Sequence, residues 1–104
     1  MSTITLSVIV ITRNEANNIA GCLRSVAFAD EWIVVDSGST DGTREIAQQM
    51  GAQVVATTDW PGFGAQKNRA LERARGRWVL SIDADERVSK TLAKSIQHVI
   101  AEKN

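Results

Sequence analysis

The chain has 104 residues, of which 12 are basic and 12 acidic, so its formal net charge is zero. This length suits one small domain with a single core. The balanced charge argues against nonspecific nucleic-acid binding, which depends on a basic surface, although a nucleotide ligand needs only a local site. The single cysteine, Cys22, excludes an internal disulfide and predicts a buried thiol on a helix.

The N-terminal stretch ITLSVIVIT, residues 4–12, is almost continuously apolar and rich in β-branched side chains. This pattern predicts a strand that is buried on both faces of a parallel sheet. The stretch is too short to span a bilayer, and it lacks the basic leader and cleavage site of a signal peptide. Three further short strands are predicted at WIVVD (32–36), AQVVA (52–56) and RWVLSID (77–83).

Each strand is followed by a segment with apolar residues at helical spacing. Asp41 is expected to cap the second helix and Ser89 the fourth, while Gly51 and Gly76 are expected to end the second and third. The segment TTDWPGFG is predicted to be a loop because of its Pro and Gly content. The inward-facing stripes are predicted at Ile19, Cys22, Leu23 and Val26; at Ile46, Ala47 and Met50; at Ala70, Leu71 and Ala74; and at Leu92, Ile96, Val99 and Ile100.

The alternation of four strands and four helices predicts an α/β domain with a parallel four-stranded sheet and helices on both faces. This is a Rossmann-like, nucleotide-binding type of half domain. Ligands of such sheets bind beyond the carboxyl ends of the strands, where the strand order reverses. With the strand order 3-2-1-4, Asp36 and Asp83 would flank Thr12 at one crevice.

The segment DADE, residues 83–86, follows the fourth strand directly and places several carboxylates close together. Such groups repel one another unless a cation lies between them. Hard cations such as Mg²⁺ or Mn²⁺ prefer oxygen ligands and often share them between carboxylates and substrate phosphates. The alternative is that Asp83 caps a turn while Asp85 and Glu86 are solvated surface charges.

Other polar residues also have two interpretations. Asp36 either contacts a ligand or receives backbone N–H bonds in the DSGST turn. Glu15 fits the first turn of a helix, and Lys67 and Arg69 are typical of a solvated helix face. His98 is predicted to lie on the surface. The sequence has no Ser-His-Asp set and no zinc-ligand spacing. A G-x-G-x-x-G fingerprint is also missing after the first strand, which argues against a dinucleotide-binding dehydrogenase.

With these residues placed, the sequence resembles the N-terminal part of inverting family-2 glycosyltransferases with the GT-A fold. The resemblance is carried by SVIVITRNEANNIAGCLRSV, WIVVDSGSTDGTREIA and GFGAQKNRALERARGRWVLSIDADE, in that order and spacing, over nearly the whole chain. The stretch DWPGFGAQKNRAL is further similar to bacterial lipopolysaccharide core glycosyltransferases of the WaaE/KdtX type.

The resemblance implies a nucleotide-sugar donor, commonly linked to UDP. It implies that Thr12 and Glu15 lie at the nucleoside edge, with Glu15 near the ribose. Asp36 would accept a hydrogen bond from the uracil ring nitrogen. Arg13 and Asn14 would belong to the same loop of the binding site.

The resemblance also assigns the diphosphate end of the site. Lys67 and Asn68 match polar positions that approach the base or the diphosphate. Asp83 would meet the ribose and, through water, the metal, while Asp85 would be the direct ligand of Mg²⁺ or Mn²⁺. Glu86 departs from the commonest pattern and would only assist.

The implied reaction is a single displacement in which the metal neutralises charge on the departing nucleoside diphosphate and a general base activates an acceptor hydroxyl. In the family that base lies in a later segment, here beyond Asn104, which also builds the acceptor site. Residues 1–104 are therefore expected to be the donor-binding part, truncated before that segment. The acceptor would be a saccharide or a lipid-linked molecule of cell-envelope or lipopolysaccharide synthesis, and the parent would be cytoplasmic, at the inner face of the inner membrane.

Two classes of function other than a glycosyltransferase stay open at this point. The second class is a phosphate-handling α/β enzyme, such as a nucleotidyltransferase or a phosphohydrolase. A nucleotidyltransferase would need a glycine-rich and basic loop after the first strand, which TRNEANN does not supply. A phosphohydrolase would place a nucleophilic aspartate after an early strand, where Thr12 stands. A noncatalytic interaction domain is the third class.

Overall fold

The computed structural model describes residues 4–103, so the predicted domain bounds of 1–104 include four residues outside this range. Its strands form one fully parallel sheet in the order β3-β2-β1-β4, which confirms the predicted topology. No helix within residues 4–103 is long and apolar enough to cross a membrane. The elements are β1 (Leu6–Thr12), α1 (Ile19–Ser25), β2 (Glu31–Ser37), α2 (Thr43–Gln49), β3 (Gln53–Thr57), α3 (Phe63–Arg73), β4 (Trp78–Ser81) and α4 (Lys90–Lys103).

The core lies on both faces of the two central strands, because their successive side chains point to opposite sides. One face packs against α1 and α2 through Val8, Val10 and Val34 of the sheet. The other face packs Ile9, Ile33 and Val35 against Ala70 of α3. The prediction that the first strand is buried on both faces of the sheet is therefore confirmed.

Cys22 is fully buried on α1 as a free thiol, as predicted. Burial raises the pKa of this thiol to about 11, with the carboxylates of Glu86, Asp83 and Asp85 adding to the effect and Arg87 opposing it. The thiol is therefore protonated at neutral pH and acts as a small apolar core group.

The third helix differs from its prediction at both ends and on its inward face. It begins at Phe63, within the predicted loop, because Gly62 adopts a positive φ of 105° and turns the chain into the helix. It ends at Arg73, before Gly76. Leu71 is 45% exposed rather than inward, and the buried face is formed by Ala70 together with Gln66. The Gln66 side chain is accommodated there because its amide donates to Thr57 Oγ1 at 2.9 Å.

The caps of the other helices confirm one prediction and correct another. Ser89 caps α4, since its hydroxyl accepts the N–H of Leu92 at 3.0 Å. The N-cap of α2 is Gly42, with a φ of 91°, and not Asp41. Asp41 lies one residue too early for that position and instead accepts hydrogen bonds from both the N–H and the hydroxyl of Thr43.

The predicted apolar stripe of α4 exists but does not form a closed core. None of the helix residues is buried, and Leu92 and Val99 stay 49% and 44% exposed. The stripe faces a groove of about 330 Å³ beside β4, which is the edge strand on this side of the sheet. His98 lies on the opposite, solvent-facing side and pairs with Glu102 at 3.2 Å, so its predicted surface location is confirmed.

The amino ends of the strands are tied together by a polar cluster. The Glu31 carboxylate accepts hydrogen bonds from the Ser7 hydroxyl at 2.6 Å and from the Arg75 backbone at 2.8 Å. The Ser7 hydroxyl in turn accepts the N–H of Gly76 at 2.9 Å. Burial tends to raise the pKa of Glu31, but the hydrogen bonds from Ser7 and Arg75 outweigh it and hold that pKa below its ordinary value.

Candidate functional site

A cleft of about 340 Å³ opens at the carboxyl ends of β1 and β4, on the side of the sheet where ligands of such folds bind. The cleft brings five of the predicted site residues together: Thr12, Arg13, Glu15, Asp83 and Asp85. Four others, Asn14, Asp36, Lys67 and Asn68, are not among its lining residues. The full lining consists of Ile11, Thr12, Arg13, Glu15, Trp60, Phe63, Asp83, Ala84 and Asp85.

Asp36 lies behind this cleft, fully buried, and not in its wall. Its carboxylate accepts hydrogen bonds from the Thr12 hydroxyl at 2.6 Å, from the Ser39 N–H at 2.9 Å and from the Ser39 hydroxyl, and Arg44 approaches at 3.8 Å. Asp36 flanks Thr12, as the strand order predicts, but its carboxylate is buried, and of the two residues Thr12 is the one that lines the cleft. The bond from the Ser39 N–H matches the alternative interpretation, in which Asp36 receives backbone N–H bonds in the DSGST turn. A contact with a uracil ring would require this buried carboxylate to become accessible from the cleft, where Oδ2 has one further acceptor site.

The end of β2 contains a second buried polar residue, Ser37. Its hydroxyl has no hydrogen-bond partner within the described part of the chain. Most buried polar groups of folded proteins are hydrogen-bonded. The unsatisfied hydroxyl lies at the end of the sheet that carries the cleft, and no sequence pattern indicated it.

The loop after β1 is held by polar groups of the turn between β2 and α2. The N–H groups of Asn14, Glu15 and Ala16 donate to Ser39 Oγ at 2.7 Å, to Thr43 Oγ1 at 2.9 Å and to Asp41 at 3.1 Å, respectively. Three successive backbone donors are thereby satisfied by side chains about 25 residues later, so the loop that carries Arg13 and Glu15 has a defined shape.

Asn14 is part of this bracing rather than of the cleft wall. It is the non-glycine residue with a positive φ among those described, at 54°. Asparagine tolerates this left-handed conformation better than most residues, and here its side-chain oxygen also accepts the N–H of Thr40 at 2.8 Å. The left-handed turn directs the chain from the strand end toward α1.

The acidic segment forms a tight turn with exposed carboxylates. Asp83 and Asp85 are exposed and line the cleft, while Ala84 between them is buried. The Glu86 carboxylate folds back to accept the Asp83 N–H at 2.7 Å, and the Glu86 N–H donates to the Asp83 carbonyl at 2.9 Å. Glu86 therefore shapes the turn, and Asp83 and Asp85 are the acidic groups of this segment that line the cleft, together with Glu15 of the loop after β1.

The same segment is attached to α1. Arg87 donates to the carbonyl oxygens of Ala84 and Glu86 at 2.9 and 2.8 Å, and its guanidinium covers Gly21, where a Cβ atom would lie 2.7 Å from its Nε. The Val88 N–H donates to Ser25 Oγ at 3.1 Å. These contacts fix the backbone from which Asp83 and Asp85 project.

The chemistry of this donor set fits part of the coordination sphere of a hard divalent cation. Among residues 4–103, no three His, Cys, Asp or Glu side chains converge into a complete metal site. Magnesium is typically bound by one or two carboxylates together with waters and substrate phosphates. Two exposed carboxylates at the edge of an open cleft match that pattern, because a bound diphosphate can supply the remaining oxygens.

Lys67 and Asn68, predicted near the base or diphosphate, lie on α3 outside the cleft lining. Four lining residues were not among the predicted site residues, namely Ile11, Ala84, Trp60 and Phe63, and the last two are the aromatic ones. A signal for them existed: they are large aromatic residues in the segment that follows the carboxyl end of the third strand, at the same edge of the sheet as the other site residues. Arg69, assigned to a solvated face, instead pairs with Asp59 at 2.8 Å.

Comparison with known proteins identifies the family of this chain. The family model described as glycosyl transferase family 2 matches residues 7–104. An uncharacterized glycosyltransferase of Rickettsia felis is 45% identical over 100 residues, which cover 95% of this chain and 35% of that protein. The lipopolysaccharide core biosynthesis glycosyltransferase LpsC of Rhizobium meliloti is 36% identical over 100 residues, covering 92% and 37% of the two chains.

Solved structures agree with this assignment. The crystal structure of S. aureus TarS superposes with a TM-score of 0.82 at 33% identity, over 95% of this chain and 33% of that chain. Glucosyl-3-phosphoglycerate synthase of Mycobacterium tuberculosis, crystallised with Mn²⁺, UDP and glucosyl-3-phosphoglycerate, gives 0.67 at 34% identity, over 79% and 34% of the chains. The chain thus spans about a third of the length of these relatives. It has the GT-A arrangement of strands and helices and belongs to glycosyl transferase family 2.

Proposed function

We propose that this chain is the donor-binding part of a glycosyltransferase that uses a nucleotide-diphosphate sugar, with UDP as the nucleotide. The proposal rests on one observation: a single cleft has the polar loop after β1 on one side and two exposed aspartates on the other. A nucleoside diphosphate has the matching polarity, because its ribose and base carry hydrogen-bonding groups and its diphosphate attracts a cation.

The nucleotide part of the proposal is supported by the structural relatives. The M. tuberculosis synthase was crystallised with UDP, with and without Mn²⁺, at 34% identity to this chain in both cases. In this chain Thr12, Arg13 and Glu15 are the polar groups placed to contact the nucleoside, since they line the cleft beside β1. Lys67 and Asn68 lie on α3 outside the cleft lining, and their predicted approach to the base or diphosphate stays part of the proposal. Asn14 and Asp36 would act by holding the loop.

The cation of the proposal is Mg²⁺ or Mn²⁺, held by Asp85 directly and by Asp83 directly or through water. When bound, it would neutralise negative charge that develops on the departing diphosphate. The role of this chain is to hold the two carboxylates at the edge of the cleft. The turn that carries them is closed by Glu86 and held in place by Arg87.

The names of two relatives bear on the acceptor. One relative carries a name that refers to lipopolysaccharide core biosynthesis, and another is named as a putative teichuronic acid biosynthesis glycosyltransferase. We propose a cell-envelope saccharide or lipid-linked acceptor, and a cytoplasmic location of the parent protein at the inner membrane. We propose that the base that activates the acceptor hydroxyl belongs to the part of the relatives that this chain does not cover.

The proposal is tested by titrating the chain with UDP in the presence and absence of Mn²⁺, using isothermal calorimetry. UDP is expected to bind more tightly with Mn²⁺, and Asp85→Asn is expected to remove that gain. Glu45→Gln, which neutralises an exposed carboxylate on α2 outside the cleft, is the matched control and should bind like the unmodified chain. Equal gains from Mn²⁺ in the Asp85→Asn and unmodified chains would refute the metal role, and absence of UDP binding would refute the proposed function.

A further inference from the structure

The cleft contains an aromatic pair beside its polar residues. Trp60 and Phe63 contact each other edge to face, with ring centroids 4.9 Å apart and ring planes at 90°. Both line the cleft, and they are 45% and 70% exposed. Aromatic side chains gain much of their stabilisation from being covered. Here two of them present uncovered surface inside a ligand-sized cavity.

The pair is held in place by its surroundings. Asp59, next to Trp60, receives two hydrogen bonds from the Arg69 guanidinium, at 2.8 and 2.9 Å. Arg69 also donates to Gln66 Oε1 at 2.9 Å, which links the loop to the buried face of α3. Phe63 is the first residue of that helix. The two rings are therefore presented on a braced segment rather than on a free loop.

The position of α3 decides which part of a nucleotide the rings would meet. The helix packs against β1 and β2, the two strands whose ends carry Thr12 and Asp36. The aspartates that face the diphosphate come after β4, on the other side of β1. The rings consequently lie at the nucleoside side of the cleft.

We propose that Trp60 and Phe63 form the wall on which the base of the donor nucleotide stacks; this inference rests on the proposed function. A pyrimidine ring is flat and apolar on both faces, so it can cover an aromatic surface that a hydrated phosphate would leave exposed. Stacking depends on the π face and not on the hydrogen-bonding edge, so the wall strengthens binding of any nucleoside diphosphate. The loop after β1 has no aromatic residue among TRNEAN, and within residues 4–103 the aromatic residues that line the cleft are these two.

The test compares UDP, UDP-glucose and inorganic pyrophosphate, each with Mn²⁺, as ligands of the unmodified chain and of a Trp60→Ala/Phe63→Ala double variant. The double variant is expected to lose about tenfold or more in affinity for UDP and equally for UDP-glucose, because base stacking on aromatic residues has an effect of that order. Affinity for pyrophosphate is expected to stay the same. Phe63→Leu, which keeps an apolar side chain without the π system, should lose part of the UDP affinity.

Leu71→Ala is the matched control, because Leu71 is as exposed as Trp60 but lies on α3 outside the cleft. It should bind all three ligands like the unmodified chain. A double variant that binds UDP normally while the unmodified chain binds it in a manner dependent on Mn²⁺ and Asp85 would overturn this inference alone. Loss confined to UDP-glucose would also overturn it, since the rings would then contact the sugar. If the unmodified chain binds no UDP, the inference falls together with the proposed function.

Discussion

Replacing Asp36 by asparagine separates a structural role of this carboxylate from direct contact with a ligand. Asp36→Asn keeps the shape of the side chain. Its amide oxygen can still accept the hydroxyl protons of Thr12 and Ser39, which both bond to Oδ1. The amide nitrogen then takes the place of Oδ2, which accepts the Ser39 N–H at 2.9 Å. Two donors would face each other in a buried position.

The expected cost follows from these contacts. A hydrogen bond to a charged acceptor contributes about 1.5–3 kcal/mol, and a buried N–H left without an acceptor costs about 1–3 kcal/mol. Burying a neutral amide is less costly than burying a carboxylate, which offsets part of that loss. We expect the free energy of unfolding to fall by about 2 kcal/mol, a large share of the roughly 5–15 kcal/mol typical of small domains.

The assay is urea unfolding followed by tryptophan fluorescence, combined with UDP titration of the folded variant. Asp36→Asn should lower the unfolding midpoint and weaken UDP binding only a few-fold, by loosening the loop that Ser39 holds through Asn14. Asp30→Asn is the control, because Asp30 also accepts backbone N–H groups but is exposed at the other end of the sheet, and it should cost about 1 kcal/mol or less.

A cycle with Ser39→Ala tests whether Asp36 acts through Ser39. The double variant should then lose less stability than the sum of the single variants. An Asp36→Asn chain of unchanged stability that no longer binds UDP would refute the structural role and make Asp36 a ligand contact.

Three further predictions follow from the packing and from the charges. Gly76→Ala should cost about 1–3 kcal/mol of stability, because its Cβ would lie 2.8 Å from the Ser7 backbone nitrogen. Gly64→Ala, with open space around its Cβ, should stabilise the protein by about 0.5–1 kcal/mol, and urea unfolding of both variants tests the two expectations. Because the pKa of Glu31 is lowered in the folded state, the stability that its carboxylate gives is present above the ordinary pKa of 4.5 and is lost as the pH falls through the lowered pKa. Thermal unfolding across the acid range should therefore depend less on pH for Glu31→Gln than for the unmodified chain, and identical profiles would contradict this. Arg87→Ala should reduce the gain in UDP affinity from Mn²⁺ by about tenfold while leaving metal-free UDP binding unchanged, since outer-shell groups orient the metal ligands; an equal loss in both titrations would show a general effect on the fold.

The sequence was sufficient for the order and type of the elements because these depend on local periodicity. The apolar run from Ile4 to Thr12 and the helical stripes show which side chains are buried. Where such strands and helices alternate along a chain, a parallel sheet covered by helices is expected. The same reasoning places chemically active residues at strand ends, and Thr12, Asp83 and Asp85 are indeed in the cleft.

The tertiary structure decided which of the strand-end residues faces the cleft and which lies behind it. Asp36 and Thr12 are partners in the β1–β2 register, but the Asp36 carboxylate is buried and bonded to Thr12 and Ser39, and of the two residues Thr12 lines the cleft. The loop after β1 is likewise held by hydrogen bonds between residues about 25 positions apart, which no local pattern contains. The same holds for α3: Gln66, bonded to Thr57, occupies the inward face of the helix, while Leu71 is 45% exposed. Periodicity reports the burial of a segment, whereas the direction of a side chain at its end depends on partners that are distant in sequence.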